Sequence, residues 1–367
     1  MSQTTYSMPK SAGPKLEALV DQIVARPGDM IDVKRLEEQS AQLDISRVID
    51  TLPEGISCED FVGILKLAML TECATDSYAA VFQEGAEKYD APWLDRFNQT
   101  VWVPDEYTHH TPYKYMLLSL GYTEEELERE MRETKERTYE HRSGNSPVEL
   151  TTYGTVQEFL TDHWHGLIAK LLKPAAPYAA HAANLVKRRE TLHTVWYRDM
   201  TALQVEENPE LIELVGKSLT TFQMPGTTLV PEYGPKALDW MQASHVDFAQ
   251  LARDLIRHFS ESAGSVKRSG QLLVDMAVYR DYPIGPFPAK FVRAAMNRLG
   301  GAGYGLLGEA VLEKVGLPVP ARWIGKPDSG IHFHTGVYEK IRTKMRNFII
   351  SRIDLRSITG DTDGASA

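Results

Sequence analysis

Two stretches of the chain put a glutamate and a histidine three residues apart: Glu106 and His109 in WVPDEYTHH, and Glu190 and His193 in RRETLHTVWY. On a helix, residues i and i+3 share a face, so each pair can offer a carboxylate oxygen and an imidazole nitrogen to one cation. Two further glutamates, Glu72 in TECATDSY and Glu158 in QEFLTDHWHG, stand among apolar neighbours. A buried carboxylate costs on the order of several kcal/mol unless it is paired or bound to a metal. Four of them converging call for two divalent cations. Ligation by carboxylates and only a few histidines suits iron, or manganese, better than zinc or copper.

Long helices must position these groups. CEDFVGILKLAMLTECATDSYAAVFQEGAEKYD reads as one helix, with Phe61, Leu65, Ala68, Glu72 and Ala79 on its apolar face. WLDRFNQTVWVPDEYTHHTPYKYMLLSLGY carries Glu106 and His109, bracketed by Pro104 and Pro112. Each proline removes a backbone donor, so a kink is expected at the motif. VELTTYGTVQEFLTDHWHGLIAKLL presents Glu158, and YAAHAANLVKRRETLHTVWYRDMTAL presents Glu190 and His193. The four glutamates are separated in turn by 34, 52 and 32 residues. At about 1.5 Å per residue, roughly 30 residues lead from mid-helix around a tight turn to the middle of an antiparallel neighbour. The longer interval leaves room for a crossover between two hairpins. A helix with Glu and a helix with E-x-x-H, taken twice, is the plan of a dinuclear carboxylate site in a ferritin-like bundle. The fold expected is therefore all-α, a ferritin-like four-helix core with additional helices.

The run TEEELEREMRETKERTYEHR reads as a solvated helix, and TTLVPEY and GIHFHTGVY are the main candidates for short extended pieces. Residues 1–55 read as a leader packing on the bundle, 56–261 as the metal-binding domain and 262–367 as a helical extension. The net charge of −10 is uneven, because residues 262–356 hold 15 Lys or Arg against 7 Asp or Glu. The acidic remainder argues against nucleic acid as a partner, and the basic segment EKIRTKMRNFIISRIDLR suggests one acidic partner, a membrane surface or a solvated face. Two cysteines, Cys58 and Cys73, make neither a disulfide framework nor a zinc finger. With no apolar stretch of spanning length and no secretory pattern, a cytoplasmic, non-spanning protein is expected.

Across about residues 60–235 the chain resembles the soluble acyl-carrier-protein desaturases. The likeness rests on Thr71, Glu72 and Tyr78; on Trp102, Asp105, Glu106, His109, Lys114 and Tyr115; on Gln157, Glu158, Thr161, His165 and Gly166; on Glu190 and His193; and on Met224 and Pro225. The resemblance implies two irons held by Glu72, Glu106, His109, Glu158, Glu190 and His193, with Thr161 near bound oxygen and Trp102 just behind the ligands. It also implies O2-dependent insertion of a double bond into an acyl chain on an acyl carrier protein, electrons from a ferredoxin-type donor, and a homodimer.

Departures from the family pattern bear on the chemistry. Asp is usual immediately before both E-x-x-H glutamates; here Asp105 precedes the first and Arg189 the second. Losing that carboxylate should alter the basicity of His109. Asp76 and Asp162 each lie one turn beyond a ligand glutamate, as paired or solvated acids or as additions to the site. Extra acids at the metals would favour an oxygenase, hydroxylating carbon or oxidising an amine, over a desaturase. His165 shares a face with Glu158 and reads as a hydrogen-bonded core histidine within reach of the site; Cys73 reads as a small core residue. Leu70, Trp102, Phe159 and Trp196 are candidates to line a slot for the chain or are ordinary core. An iron-storing ferritin-like protein is the non-enzymatic alternative, although the chain exceeds a bare bundle.

Overall fold

The computed structural model describes residues 5–280, 289–323, 328, 343, 344, 346 and 347. GIHFHTGVY lies outside the described residues, as does most of the basic segment EKIRTKMRNFIISRIDLR. Among the described residues there is no strand, and the fold is all-α and ferritin-like. The helices are α1 (Ala12–Ala25), α2 (Val33–Glu38), α3 (Cys58–Cys73), α4 (Thr75–Lys88), α5 (Pro92–Phe97), α6 (Val103–His109), α7 (Thr111–Ser119), α8 (Glu124–Lys135), α9 (Pro147–Leu172) and α10 (Pro177–Glu207). They continue with α11 (Ile212–Thr220), α12 (Gly226–Leu229), α13 (Ala237–Ala243), α14 (Phe248–Ala263), α15 (Val266–Arg280) and α16 (Ala289–Lys314).

The chain forms two compact units, one of residues 13–197 and 222–246, the other of residues 1–12, 198–221 and 247–367. The first contains every candidate ligand. The helix expected to carry Glu72 is two helices, α3 and α4, broken at Ala74. There the Ala74 N–H turns to Thr71 O, Thr75 Oγ1 donates to Glu72 O at 2.8 Å, and the Tyr78 hydroxyl donates to Thr71 O at 2.9 Å. Side-chain hydroxyls thus satisfy carbonyls that a continuous helix would have bonded.

The second ligand-bearing segment is also interrupted, as its prolines lead one to expect. Asn98–Trp102 forms a π-helical turn in which Val103 N–H reaches Asn98 O, and the helix breaks again at His110, between α6 and α7. Pro104 has no N–H to give, and a widened turn ahead of it absorbs the misfit.

The long helices α9 and α10 are uninterrupted. Ser146 caps α9, its N–H and hydroxyl both donating to Glu149, and residues 173–176 turn the chain into α10. Such a short link makes the two helices antiparallel neighbours. Gly154 lets them approach closely: a Cβ there would lie 2.7 Å from the Tyr197 ring. TTLVPEY is not extended; α12 and a turn occupy it, opened by Met224 and Pro225.

The second unit is built on α11, α14, α15 and α16, with a core of Val274, Tyr304, Leu307, Ala310 and Val311. Gly270 and Gly308 sit where α15 and α16 cross: a Cβ on the first would lie 1.8 Å from Tyr304 O and on the second 2.0 Å from Val266 O.

Candidate metal centre

The break after α3, the interrupted segment around α6 and the uninterrupted α9 and α10 bring six buried side chains into one cluster. Glu72, Glu106, His109 and Glu190 offer ligand atoms that all lie within 4.8 Å of one another, and so do Glu106, Glu158, Glu190 and His193. Glu106 and Glu190 belong to both sets. His109 Nδ1 lies 2.8 Å from Glu190 and 3.6 Å from Glu106; His193 Nδ1 lies 2.8 Å from Glu106 and 3.6 Å from Glu190. Glu72 lies 4.0 Å from His109 Nδ1 and Glu158 3.6 Å from His193 Nδ1, one outer carboxylate for each histidine.

These donors converge without bonding one another. Both ring nitrogens of His109, Nδ1 of His193, Oε1 of Glu106 and both oxygens of Glu190 are buried with no hydrogen-bond partner among the described residues. The approaches at 2.8 Å lack hydrogen-bond alignment. Buried polar atoms are rarely left so. This donor set fits two divalent cations, which the two groups of residues would hold, Glu106 and Glu190 being common to both.

Electrostatics point the same way. Burial raises Glu72 to about 7 against the bond from His165, and holds Glu158 well above the carboxylate range, reinforced by Glu106 and Glu190. Burial opposes charge on His109 and His193, but the surrounding carboxylates outweigh it and hold both rings protonated well above their ordinary range. Against its own burial, Glu190 is held well below the usual value by His109 and its other partners. The cluster draws positive charge, and an entering metal would release these protons.

Around the six, each outer glutamate has one oxygen occupied. Trp102 Nε1 donates to Glu158 Oε1 at 3.1 Å, and His165 Nε2 lies 3.2 Å from Glu72 Oε1 with its Nδ1 2.5 Å from the Tyr113 hydroxyl. His165 is therefore both a hydrogen-bonded core residue and a direct neighbour of the cluster. Tyr113 escaped the sequence reading, although its place four residues after His109 puts it on the ligand face. Asp105 is held by His193 Nε2 at 2.9 Å and Arg189 Nε at 2.5 Å.

Thr161 lies one turn along α9 from Glu158, its hydroxyl donating to Gln157 O and Glu158 O at 3.1 Å each. Asp162 accepts from Lys187 and Thr191, and Asp76 from Tyr107; both are paired acids outside the two donor sets. Trp102 is fully buried against Tyr78, Phe82 and Tyr197, while Trp196 packs on Phe97 and His193. Leu70 and Phe159 are buried. Cys73 is buried core, its thiol bonded to Leu70 O and pushed up to about 12 by burial.

The family model of the fatty acid desaturases matches residues 26–257, well over half of the chain and all six candidate ligands. The chain belongs to the type 2 fatty acid desaturase family. A search among curated proteins finds no match. No helix of the described residues is long and apolar enough to cross a membrane. In this desaturase-family chain, the sequence motifs and the buried donor cluster therefore coincide.

Proposed function

We propose that this chain is a di-iron, O2-dependent desaturase that inserts a double bond into a fatty acyl chain presented on an acyl carrier protein. The observation that carries the proposal is the pair of overlapping donor sets, four carboxylates and two histidines, sharing Glu106 and Glu190. Glu72 and His109 would hold one iron and Glu158 and His193 the other. When bound, the irons supply the reduction of O2 and the oxidising power that removes two hydrogens from adjacent carbons. The balance requires two electrons from outside, for which a ferredoxin-type donor is the expected class: two C–H bonds, two external electrons and two protons from solvent reduce one O2 to two waters.

The protein's own part is positioning. Trp102 and His165 each tie one oxygen of an outer glutamate and leave the other for a metal. Asp105 fixes His193 with Nε2 protonated and Nδ1 turned to the carboxylates. The aromatic wall of Tyr78, Phe82, Trp102 and Tyr197 keeps water from the Glu158 side and makes every charge in the cluster act through a low dielectric. An oxygenase drew support from Asp76 and Asp162 as extra acids at the metals, and their pairing elsewhere removes it. A homodimeric, cytoplasmic enzyme of lipid biosynthesis completes the reading.

Full-length protein loaded anaerobically with Fe(II), beside Glu106→Ala, tests it. About two irons per chain are expected in the parent, fewer in the variant, and with carrier-bound acyl substrate, O2 and reductant a product lighter by two hydrogens. A product heavier by one oxygen would establish the oxygenase instead. No bound iron would overturn the metal reading.

A further inference from the structure

The cluster is nearly two-fold symmetric in the contacts of its histidines, and it departs from that symmetry in the residues that precede Glu106 and Glu190. Each histidine Nδ1 lies 2.8 Å from the glutamate of the other motif and 3.6 Å from its own. The outer glutamates match too, one bonded by Trp102 and the other by His165. The residues before the two shared glutamates do not match. Asp105, before Glu106, accepts from His193 Nε2 across the bundle. By the same symmetry the residue before Glu190 should receive His109 Nε2, and that residue is Arg189, which has no acceptor to offer. His109 Nε2 accordingly has no hydrogen-bond partner among the described residues; a carboxylate oxygen of Asp105 stands 3.7 Å off.

Arg189 is held away from His109 by a second anchor. Its Nε binds Asp105, while Nη2 donates to Pro27 O at 2.7 Å and Nη1 to Asp29 O at 3.4 Å. Between those carbonyls, Gly28 adopts φ +74°, and a Cβ on it would lie 2.6 Å from Nη1. The Pro27–Asp29 turn is thus shaped around the guanidinium. Arg189 and His193 both bond one Asp105 oxygen, Oδ2; the other, Oδ1, makes no hydrogen bond among the described residues and stands 3.7 Å from His109 Nε2, beyond bonding distance.

We propose that the two metal positions are unequal: the position of Glu158 and His193 binds tightly, and the position of Glu72 and His109 is the labile one. This rests on the two-metal reading above. A carboxylate on the far nitrogen fixes the tautomer and the ring angle of a ligand histidine and raises its basicity; loss of such a partner costs roughly 10–100-fold in metal affinity. His193 has that support and His109 lacks it. The positive Arg189 beside the cluster adds to the cost of completing the pair. Iron loads stepwise, and a half-loaded chain with iron at His193 is a stable species.

Anaerobic Fe(II) titration of the full-length protein, with bound metal counted by equilibrium dialysis, tests the proposal. The expected result is one iron bound per chain in a first step and a second at roughly 10–100-fold higher free iron. Glu72→Ala should remove the second step and keep the first, whereas Glu158→Ala should remove the first. Arg189→Asp, which restores a carboxylate opposite His109, should draw the steps together by tightening the second; if that variant fails to fold by circular dichroism, the two glutamate variants still decide. A single step of two equal irons, or loss of the tight step in Glu72→Ala, overturns the inequality and leaves the two-metal reading standing. No iron at any concentration would bring down both.

Discussion

Asp105 is the residue through which the neighbourhood of the centre is organised. It is fully buried, and it is the acceptor for both His193 and the nearly buried Arg189. Burial works against its charge, and the neighbouring His109 and His193 outweigh that cost and hold its carboxyl below the usual range. Removing one member of a buried ion pair leaves the other uncompensated, at about 3–5 kcal/mol. Asp105→Ala should lose stability of that order in urea unfolding, with Asp105→Asn losing less. A loss within ordinary surface values would mean that Arg189 does not depend on this carboxylate.

At the scale of elements, the site depends on helices that are allowed to break and on helices that must not. α3 ends just beyond Glu72 and α6 begins after a π-helical turn, so Glu72 and Glu106 each lie within a turn or so of a helix break. α9 and α10 are uninterrupted and meet at Gly154 and Tyr197. Gly154→Ala should force a methyl group against that ring; overpacking of this kind costs about 1–3 kcal/mol. Urea unfolding measures the loss, and reduced iron retention is expected with it because Tyr197 also packs on Trp102. An unchanged midpoint would mean that the two helices have slack at this crossing.

At the scale of the whole molecule, stability has a pH-dependent contribution remote from the candidate ligands in sequence and in unit. Asp275, in the second unit, is buried with Oδ2 lacking a hydrogen-bond partner among the described residues, and Arg293 lies 3.4 Å from its other oxygen. Burial pushes its pKa up to about 7, against the pull of Arg293. Between the ordinary value of 3.8 and about 7 the folded chain therefore holds a proton that the unfolded chain gives up. This contribution is present in full at low pH and is lost as pH rises through 7. Asp275→Asn should melt above the parent at pH 8, with the gap closing toward pH 4. A gap independent of pH would show that the carboxyl does not titrate in this window.

The four glutamates, the two histidines and the all-α fold were legible in the sequence because the rules behind them are local. Helical spacing puts i and i+3 on one face, a carboxylate among apolar residues needs a cation, and the intervals between the glutamates match helical hairpins. Pro104 and Pro112 likewise announced the breaks around α6, since a missing N–H is a property of the residue itself. The break at Ala74 carried no such mark, because it depends on Thr75 and Tyr78 taking over backbone carbonyls. The partners behind the ligands were set by tertiary structure alone. That His165 reaches Glu72, that Trp102 binds Glu158, and that Arg189 turns to Asp105 and the Pro27–Asp29 turn all depend on how far apart the helices stand and how each is rotated about its axis. Residues 93, 56, 84 and about 160 positions apart in the chain meet there, and no spacing along the sequence encodes those distances.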